Sequence, residues 1–535
     1  KAFRKMHVDA ALRSRAAGFD IVYVYAGHDM TTLMHFLQAD RNDRMDEYGG
    51  SLENRVRLMR EVIEDTKEAI GDTCAVAVRL AVDEMRGPDG LTSNGEGREI
   101  VEMLAELPDL WDVNVSGWDN DSATSRFSDE GYQTDYIRFV KQVTTKPVVG
   151  VGRFTSPDTM VSLVKKGVLD LIGAARPSIA DPFLPKKIEE GRIEDIRECI
   201  GCNICVSGDF LVHPLRCTQN PTMGEEWRKG WHPERIAPKA ADESVLIVGA
   251  GPAGLEAARA LGQRGYDVTL AEAKETLGGR VDIESRLPGL SQWRRVADYR
   301  IYQISQMANV SVFHNSPLNA EQVLEFEADH VVLATGSDWD VTGIGRSNRR
   351  AIPGHTSGHI MSVDAICAGK VPSGPVVIFD DDYYHMAGLL AEKLSLDGHD
   401  VTYVTPTADV SHWTHNTMEQ SRIQSRLMEL GVTIIPLHTL TGIHADHLDL
   451  ACVYTDALRQ ISYGTLVPVT MRNPREDLHS ALHGRAKSVI RIGDCYAPGT
   501  IAAAVYGGHR CARELGEPPA TGVPFRRELP LLAAD

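Results

Sequence analysis

The sequence predicts an α/β protein assembled from two kinds of parallel-sheet unit. Three observations carry that prediction. Strand-like and helix-like runs alternate over residues 1–190, four cysteines crowd into residues 199–217, and a strand–glycine loop–helix pattern begins at Ser244. Alternating strand and amphipathic helix is the pattern of βα units around a parallel sheet. At about 150 residues per domain, 535 residues leave room for three or four. Apolar residues make up 43% and charged residues 24%, the balance of an ordinary globular protein. No apolar run approaches the ~18 residues that would cross a bilayer. Against 74 acidic residues stand 56 basic ones, and the net charge of −18 argues against a nucleic-acid or anionic-membrane partner.

In the first 190 residues, strands are expected at 20–25, 75–80, 111–115, 147–151 and 169–172, with helices such as 53–70 and 157–166 between them. The strand ends carry polar and glycine-rich motifs, as the catalytic loops of a (β/α)8 barrel do. An open sheet is the alternative. Tyr25-Ala-Gly-His28 closes the first strand, Arg79 stands near the end of the second, and Trp118-Asp-Asn-Asp121 follows the third. Gly150-Val-Gly152-Arg153 and Gly173-Ala174-Ala175-Arg176-Pro177 follow the last two, where barrels place a phosphate site.

A connector over 191–240 contains Cys199-x2-Cys202-x2-Cys205-x11-Cys217. Two-residue gaps let three thiolates converge in one tight loop, and the fourth returns after a short excursion. Such a soft donor set suits zinc or an iron–sulfur cluster; three close cysteines plus one resemble a [4Fe–4S] site more than the two separated pairs of structural zinc. Cys74, Cys367, Cys452, Cys495 and Cys511 are scattered, and an odd total of nine is no disulfide framework.

After a polar linker at 237–243, the buried strand 244–248 runs into Gly249-Ala-Gly251-Pro-Ala-Gly254, a helix over 255–264, and a second strand ending at Glu272. A lone glycine motif is weak, but here the whole βαβ fingerprint is present. The glycines let the backbone approach a pyrophosphate, and Glu272 can accept from a ribose hydroxyl. Ala334-Thr335-Gly336 and Gly493-Asp494 support a two-dinucleotide arrangement, with 371–484 inserted into a unit made of 241–370 plus 485–535. The inserted unit begins at Pro375 and has Asp380-Asp381-Asp382-Tyr383-Tyr384 in place of a glycine loop. Three carboxylates repel a pyrophosphate, so this unit is expected to keep the fold of a nicotinamide site and to have lost the ligand.

The order barrel, four cysteines, dinucleotide fold resembles the old-yellow-enzyme-related iron–sulfur flavoproteins that dehydrogenate trimethylamine, dimethylamine and histamine. Arg44-x-Asp46-x-Tyr48-Gly49-Gly50-Ser51-Leu-Glu-Asn54-Arg55, the glycine runs at 150–153 and 173–177, and the cysteine segment carry the resemblance. It implies FMN at the barrel mouth, with Arg79 near the flavin pyrimidine and the backbone at Gly152, Arg153, Ala175 and Arg176 on the phosphate. It implies a [4Fe–4S] cluster on Cys199, Cys202, Cys205 and Cys217. ADP, or FAD, is implied at Gly249, Gly251, Gly254, Glu272 and Asp494. Tyr25 and His28 become proton-handling residues oriented by Asp121, and Trp118 a wall of the substrate bowl.

Asp209 stands where the trimethylamine enzymes have a tryptophan, which favours a longer amine with a second polar end, such as histamine or a related primary amine or diamine. The activity implied is oxidative deamination to an aldehyde and ammonia. Electrons would leave singly through the cluster to an electron-transferring flavoprotein or similar acceptor, with Trp413 at the exit. A cytoplasmic homodimer is expected. In the family Tyr25 and His28 sit on the fourth barrel strand, so the barrel is expected to be N-terminally incomplete here. The three earlier strands would include the cysteine that attaches FMN covalently, a role that none of the five scattered cysteines can take by position. A 2,4-dienoyl-CoA or enoate reductase shares the architecture but needs an intact second glycine loop. A non-catalytic electron-transfer subunit is the alternative from another class.

Overall fold

The computed structural model describes residues 1–115, 117–356 and 359–517. The stretch 518–535, assigned above to the last domain, lies outside them. The chain forms two compact units: Lys1–Thr124 with Ser128–Ser178, and Ser125–Phe127 with the chain from Ile179 onward.

In the first unit, strands β1 (Ile21–Ala26), β2 (Ala75–Asp83), β3 (Leu110–Val115), β4 (Val148–Gly150) and β5 (Leu171–Ile172) form one parallel sheet in sequential order. A (β/α)8 barrel lays each strand beside the next, whereas doubly wound sheets reverse and give orders such as 3-2-1-4-5. The sequential order therefore excludes the doubly wound sheet. Helix Leu52–Ile70 shows why the pattern folds: Val56, Met59, Ile63, Thr66 and Ile70 are all buried, at alternating three- and four-residue spacing along one face. Ser51 caps its first turn by accepting from the Asn54 N–H, and Gly71 at φ 59 ends it.

Strand β2 runs three residues past its predicted end, so Arg79 lies mid-strand and not at a strand end. An irregularity between Ala81 and Asp83 keeps the extension paired with β3. The register then aligns the site. Tyr25 of β1 pairs with Arg79 of β2, and Arg79 with Asp112 of β3. Neighbouring strands are about 4.8 Å apart, so three polar side chains stand in a row across the sheet.

The second unit holds two parallel sheets. The first has the order Val489–Arg491, His330–Leu333, Ser244–Val248, Asp267–Ala271, Val310–Phe313. Between its second and first strands the chain leaves to build another sheet, ordered Thr433–Ile435, Val401–Val404, Val376–Asp380, Thr465–Val469. The second dinucleotide-type fold is thus inserted in the first, and an antiparallel ribbon of Ser337–Trp339 with Arg472–Pro474 joins them. An antiparallel three-stranded sheet over His438–Ile443, His447–Cys452 and Leu458–Ser462 was not foreseen. No helix among the described residues is long and apolar enough to cross a membrane.

Candidate active site and cofactor-binding residues

Immediately after β1 the chain turns through His28 (φ 57) and Asp29 (φ 55), two successive left-handed residues that are not glycine. Such backbone is uncommon outside glycine and persists where surrounding contacts enforce it. Here it folds His28 back so that its Nδ1 meets the Tyr25 hydroxyl. The opposite ring nitrogen, Nε2, lies 2.6 Å from Asp121 Oδ2. Asp121 is acceptor-only when ionised, so Nε2 carries the proton, Nδ1 offers its lone pair, and Tyr25 donates to it. The structure brings Tyr25, His28 and Asp121 into one hydrogen-bonded line.

Asp121 also accepts from Gln133 Nε2 at 2.7 Å and from Arg79 Nη2 at 3.1 Å. Burial pushes its carboxyl up, but the His28 and Gln133 hydrogen bonds and the Arg79 charge outweigh that and hold it below the ordinary value. Arg79 grips Asp112 with one nitrogen at 2.9 and 2.8 Å. Burial opposes the Arg79 charge, yet Asp112 and Asp121 raise its pKa above the usual value. The Tyr25 phenol is pushed up by burial, and the two aspartates add to this against the pull of Arg79. Tyr25 is therefore a neutral donor at neutral pH.

Four residues completing the line were missed in the sequence. Asp112 and Asn114 alternate with the apolar residues of β3, both are buried, and the Asn114 amide lies 3.2 Å from His28 Nε2. Gln133 is fully buried, and the hydroxyl of Tyr132 donates to the Asp121 carbonyl at 2.8 Å. The period-two placement of Asp112 and Asn114 was the available signal: two polar side chains on one face of an otherwise apolar strand.

The expected FMN residues lie on the same unit. Arg79 stands on the sheet beside Tyr25, a half-buried cation. Arg153 is left-handed at φ 58 and donates to the Ser128 carbonyl at 2.6 Å. Ala175 opens the short helix Ala175–Ala180, and the Arg176 guanidinium donates to the Ala123 carbonyl at 3.0 Å. Trp118 opens the helix Trp118–Asp121 and is half-buried.

In the second unit, Cys199, Cys202, Cys205 and Cys217 are half-buried and none is in a disulfide. The Gly201 N–H points at Cys199 Sγ (3.4 Å) and the Gln219 N–H at Cys217 Sγ (3.4 Å); Thr218 Oγ1 is 3.1 Å from Cys202 Sγ. Backbone N–H groups aimed at sulfur suit anionic thiolates, as cluster ligands are. Without a metal, burial pushes the Cys202 thiol up to about 12 and that of Cys217 up to about 11. A cation is what makes such buried thiols ligands. Asp209 is exposed, on the helix Ile204–Leu211 that follows.

The glycine loop fits a nucleotide. A Cβ on Gly254 would lie 1.9 Å from the Gly249 carbonyl, and one on Gly249, at φ 104, would lie 2.4 Å from that of Ala334. A Cβ on Gly251 would meet nothing within 4 Å, so its face is open for a ligand. Glu272 braces the loop by accepting from the Ala250 N–H at 2.8 Å, with a further lone pair on each oxygen free for a ribose. A cavity of about 460 Å³ runs from this loop past Asp494 and Trp339 to Trp293, Tyr384 and Cys202. The buried indole N–H of Trp339 has no partner among the described residues, so it is available to a ligand acceptor. Trp413 is half-buried, and its ring packs edge-on against Tyr384 at 4.8 Å.

In the inserted fold the corresponding loop is filled by its own side chains. Asp380 accepts from the N–H of Asp382 (3.2 Å) and Tyr383 (2.9 Å) and from the Tyr403 hydroxyl. Asp381 accepts from Ser347 N–H and Oγ at 2.8 and 2.7 Å.

Residues 1–195 match the NADH:flavin oxidoreductase / NADH oxidase family, and residues 243–483 the pyridine nucleotide-disulphide oxidoreductases. Histamine dehydrogenase from Rhizobium sp. 4-9 superposes with a TM-score of 0.97 at 52% identity, covering 100% of this chain and 79% of that one. The 6-hydroxypseudooxynicotine amine oxidase of Pseudomonas geniculata N1 gives 0.94 at 49% identity, covering 96% and 78%. Dimethylamine dehydrogenase from Hyphomicrobium sp. (strain x) is 38% identical over 564 residues, 98% of this chain and 76% of its own length. Likeness of that extent, over both halves and the cysteine segment between them, places the chain in the iron–sulfur flavoprotein amine dehydrogenase family.

Proposed function

We propose that this protein deaminates a primary amine oxidatively to an aldehyde and ammonia, with histamine or a related arylalkyl amine or diamine as substrate. The observation that carries the reading is the line Tyr25–His28–Asp121, anchored by Arg79. When bound, FMN takes two electrons from the C–N bond and a [4Fe–4S] cluster on Cys199, Cys202, Cys205 and Cys217 passes them on singly.

The side chains handle the proton. An amine yields its electrons only as the neutral base, so an arriving ammonium must lose a proton. Tyr25 is held neutral and cannot keep that proton. It passes its own to His28 Nδ1 as it accepts one, and the imidazolium so formed is stabilised by ionised Asp121. Arg79, Asp112 and Asp121 together carry one net negative charge, which attracts an ammonium. Trp118 supplies a face for cation–π contact and Asp209 a carboxylate for a second cationic end.

Gly152, Arg153, Ala175 and Arg176 hold the FMN phosphate in this reading. ADP at Gly249, Gly251, Gly254, Glu272 and Asp494 is structural; FAD is the alternative, because the cavity continues to Cys202. Electrons leave near Trp413 to an electron-transferring flavoprotein or a similar acceptor, and the enzyme works as a homodimer in the cytoplasm. Anaerobic mixing with an amine panel tests the reading. Histamine should bleach the flavin absorbance faster than dimethylamine or trimethylamine, and NADPH should not. Bleaching by NADPH alone would sink it. Asp209→Trp should weaken diamine binding and admit smaller alkylamines; unchanged specificity would remove Asp209 from the site.

A further inference from the structure

The inserted fold carries a group of metal-ligating side chains that amine oxidation does not use. In Asp409-x2-His412-x2-His415 the two histidines lie on a six-residue 3₁₀ helix, His412–Thr417, and Asp409 just precedes it. Residues three apart on such a helix eclipse one another, so the two imidazoles project from one edge. Asp409 reaches that edge from the preceding turn, and each of its oxygens meets one ring: His412 Nδ1 at 2.6 Å and His415 Nε2 at 2.7 Å. The three donor atoms lie within 4.8 Å of one another. The rings stand at 73° to each other, and both facing nitrogens point at the one carboxylate.

The platform is rigid while the donors are accessible. Thr414 and Thr417 are fully buried beneath the helix. The Trp413 N–H donates to the Tyr383 carbonyl at 2.8 Å, and Asn203 Nδ2 to the Thr417 carbonyl at 3.0 Å. Both histidine side chains are 52% exposed. Two imidazoles and a carboxylate on a fixed support are a borderline donor set with remaining positions open to water, the composition that suits Zn²⁺ among available divalent ions. We propose that Asp409, His412 and His415 form an exchangeable Zn²⁺ site on the helix that bears Trp413. Loading it needs each imidazole to present a lone pair to the centre, a tautomer change that moves no backbone.

A second group, His444, His447 and Asp449, is less well arranged. Its rings stack nearly parallel (11°), Asp449 Oδ1 already accepts from Gln460 at 2.8 Å, and His447 Nδ1 is taken by Asp446 at 2.7 Å. It must be removed for a clean test. In full-chain holoenzyme carrying His444→Ala and His447→Ala, Zn²⁺ uptake is measured by equilibrium dialysis and metal analysis in chelator-free buffer. Adding His412→Ala with His415→Ala should lose one equivalent per chain. The isosteric Asp409→Asn, which keeps the local fold, should lose the same equivalent. Retention of that equivalent by either variant overturns the proposal and leaves these groups as hydrogen-bonded surface residues.

Discussion

Asp121→Asn tests the proton line most directly. The carboxylate takes hydrogen bonds from His28 (2.6 Å), Gln133 (2.7 Å) and Arg79 (3.1 Å). An amide of the same shape has one accepting oxygen and turns an NH₂ toward one of those donors. A hydrogen bond to a charged group is worth roughly 1.5–3 kcal/mol. If the His28 bond forms fully only as the imidazolium does, its loss lowers kcat/KM by roughly 10- to 150-fold at 1.36 kcal/mol per decade. Arg79 keeps both contacts with Asp112, so the fold should hold. The substitution also removes one of the charges that hold the Tyr25 phenol up, so the Tyr25 ionisation moves to lower pH. Anaerobic stopped-flow reduction by histamine across the pH range reads both effects. A kcat/KM within about three-fold of wild type, under ~0.7 kcal/mol, with an unmoved alkaline limb would refute the line.

Three further outcomes follow from other contacts. Tyr25→Phe deletes the hydroxyl that donates to His28 and should cost roughly 10²- to 10⁴-fold in kcat, with the alkaline limb of the pH profile abolished. Gly254→Ala sets a Cβ 1.9 Å from the Gly249 carbonyl, so protein purified with this change should release almost no adenine nucleotide on denaturation. His509, fully buried, is pushed down to about 4 by burial against its bond to Glu256, so the folded chain keeps it neutral while the unfolded chain protonates near 6.5. Stability should therefore fall by up to about 3 kcal/mol as pH drops through that window. Urea midpoints of His509→Gln should show a correspondingly smaller drop.

What could be read from the sequence was whatever the chain encodes locally. The strand Ser244–Val248 and the strand Asp267–Ala271 fell where expected because the glycine loop and its flanking turns mark them within thirty residues. Tyr25, His28 and Asp121 were found because strand-end polar residues stand out and a family pattern joined them. Asp112 was not, although β3 alternates it with Asn114 on one face. Its importance comes from the register Tyr25–Arg79–Asp112, and pairing between strands more than thirty residues apart is a tertiary property. For the same reason Arg79 looked like a strand-end residue, since the irregular pairing that extends β2 depends on β3. The antiparallel sheet over 438–462 was invisible because its exposed strand Leu458–Ser462 carries little apolar alternation.

The filled loop of the inserted fold bears on the direction of electron flow. A dinucleotide site works by leaving backbone N–H groups free at the start of a helix and by keeping side chains out of the way. Around Gly251 both conditions are met. At the matching turn of the inserted fold neither is, for the Asp382 and Tyr383 N–H groups already serve Asp380, and Asp381 is tied to Ser347. Burial pushes the Asp380 carboxyl up to about 7, so even this internal arrangement strains against its own charge, and an incoming pyrophosphate would add to it. The Tyr403 hydroxyl also donates to Asp380 and that of Tyr383 to Asp381 at 2.7 Å, so the loop's carboxylates are held by several partners at once. A nicotinamide fold whose phosphate position is filled by its own side chains supports the proposal that reducing equivalents enter from the amine and not from a nicotinamide.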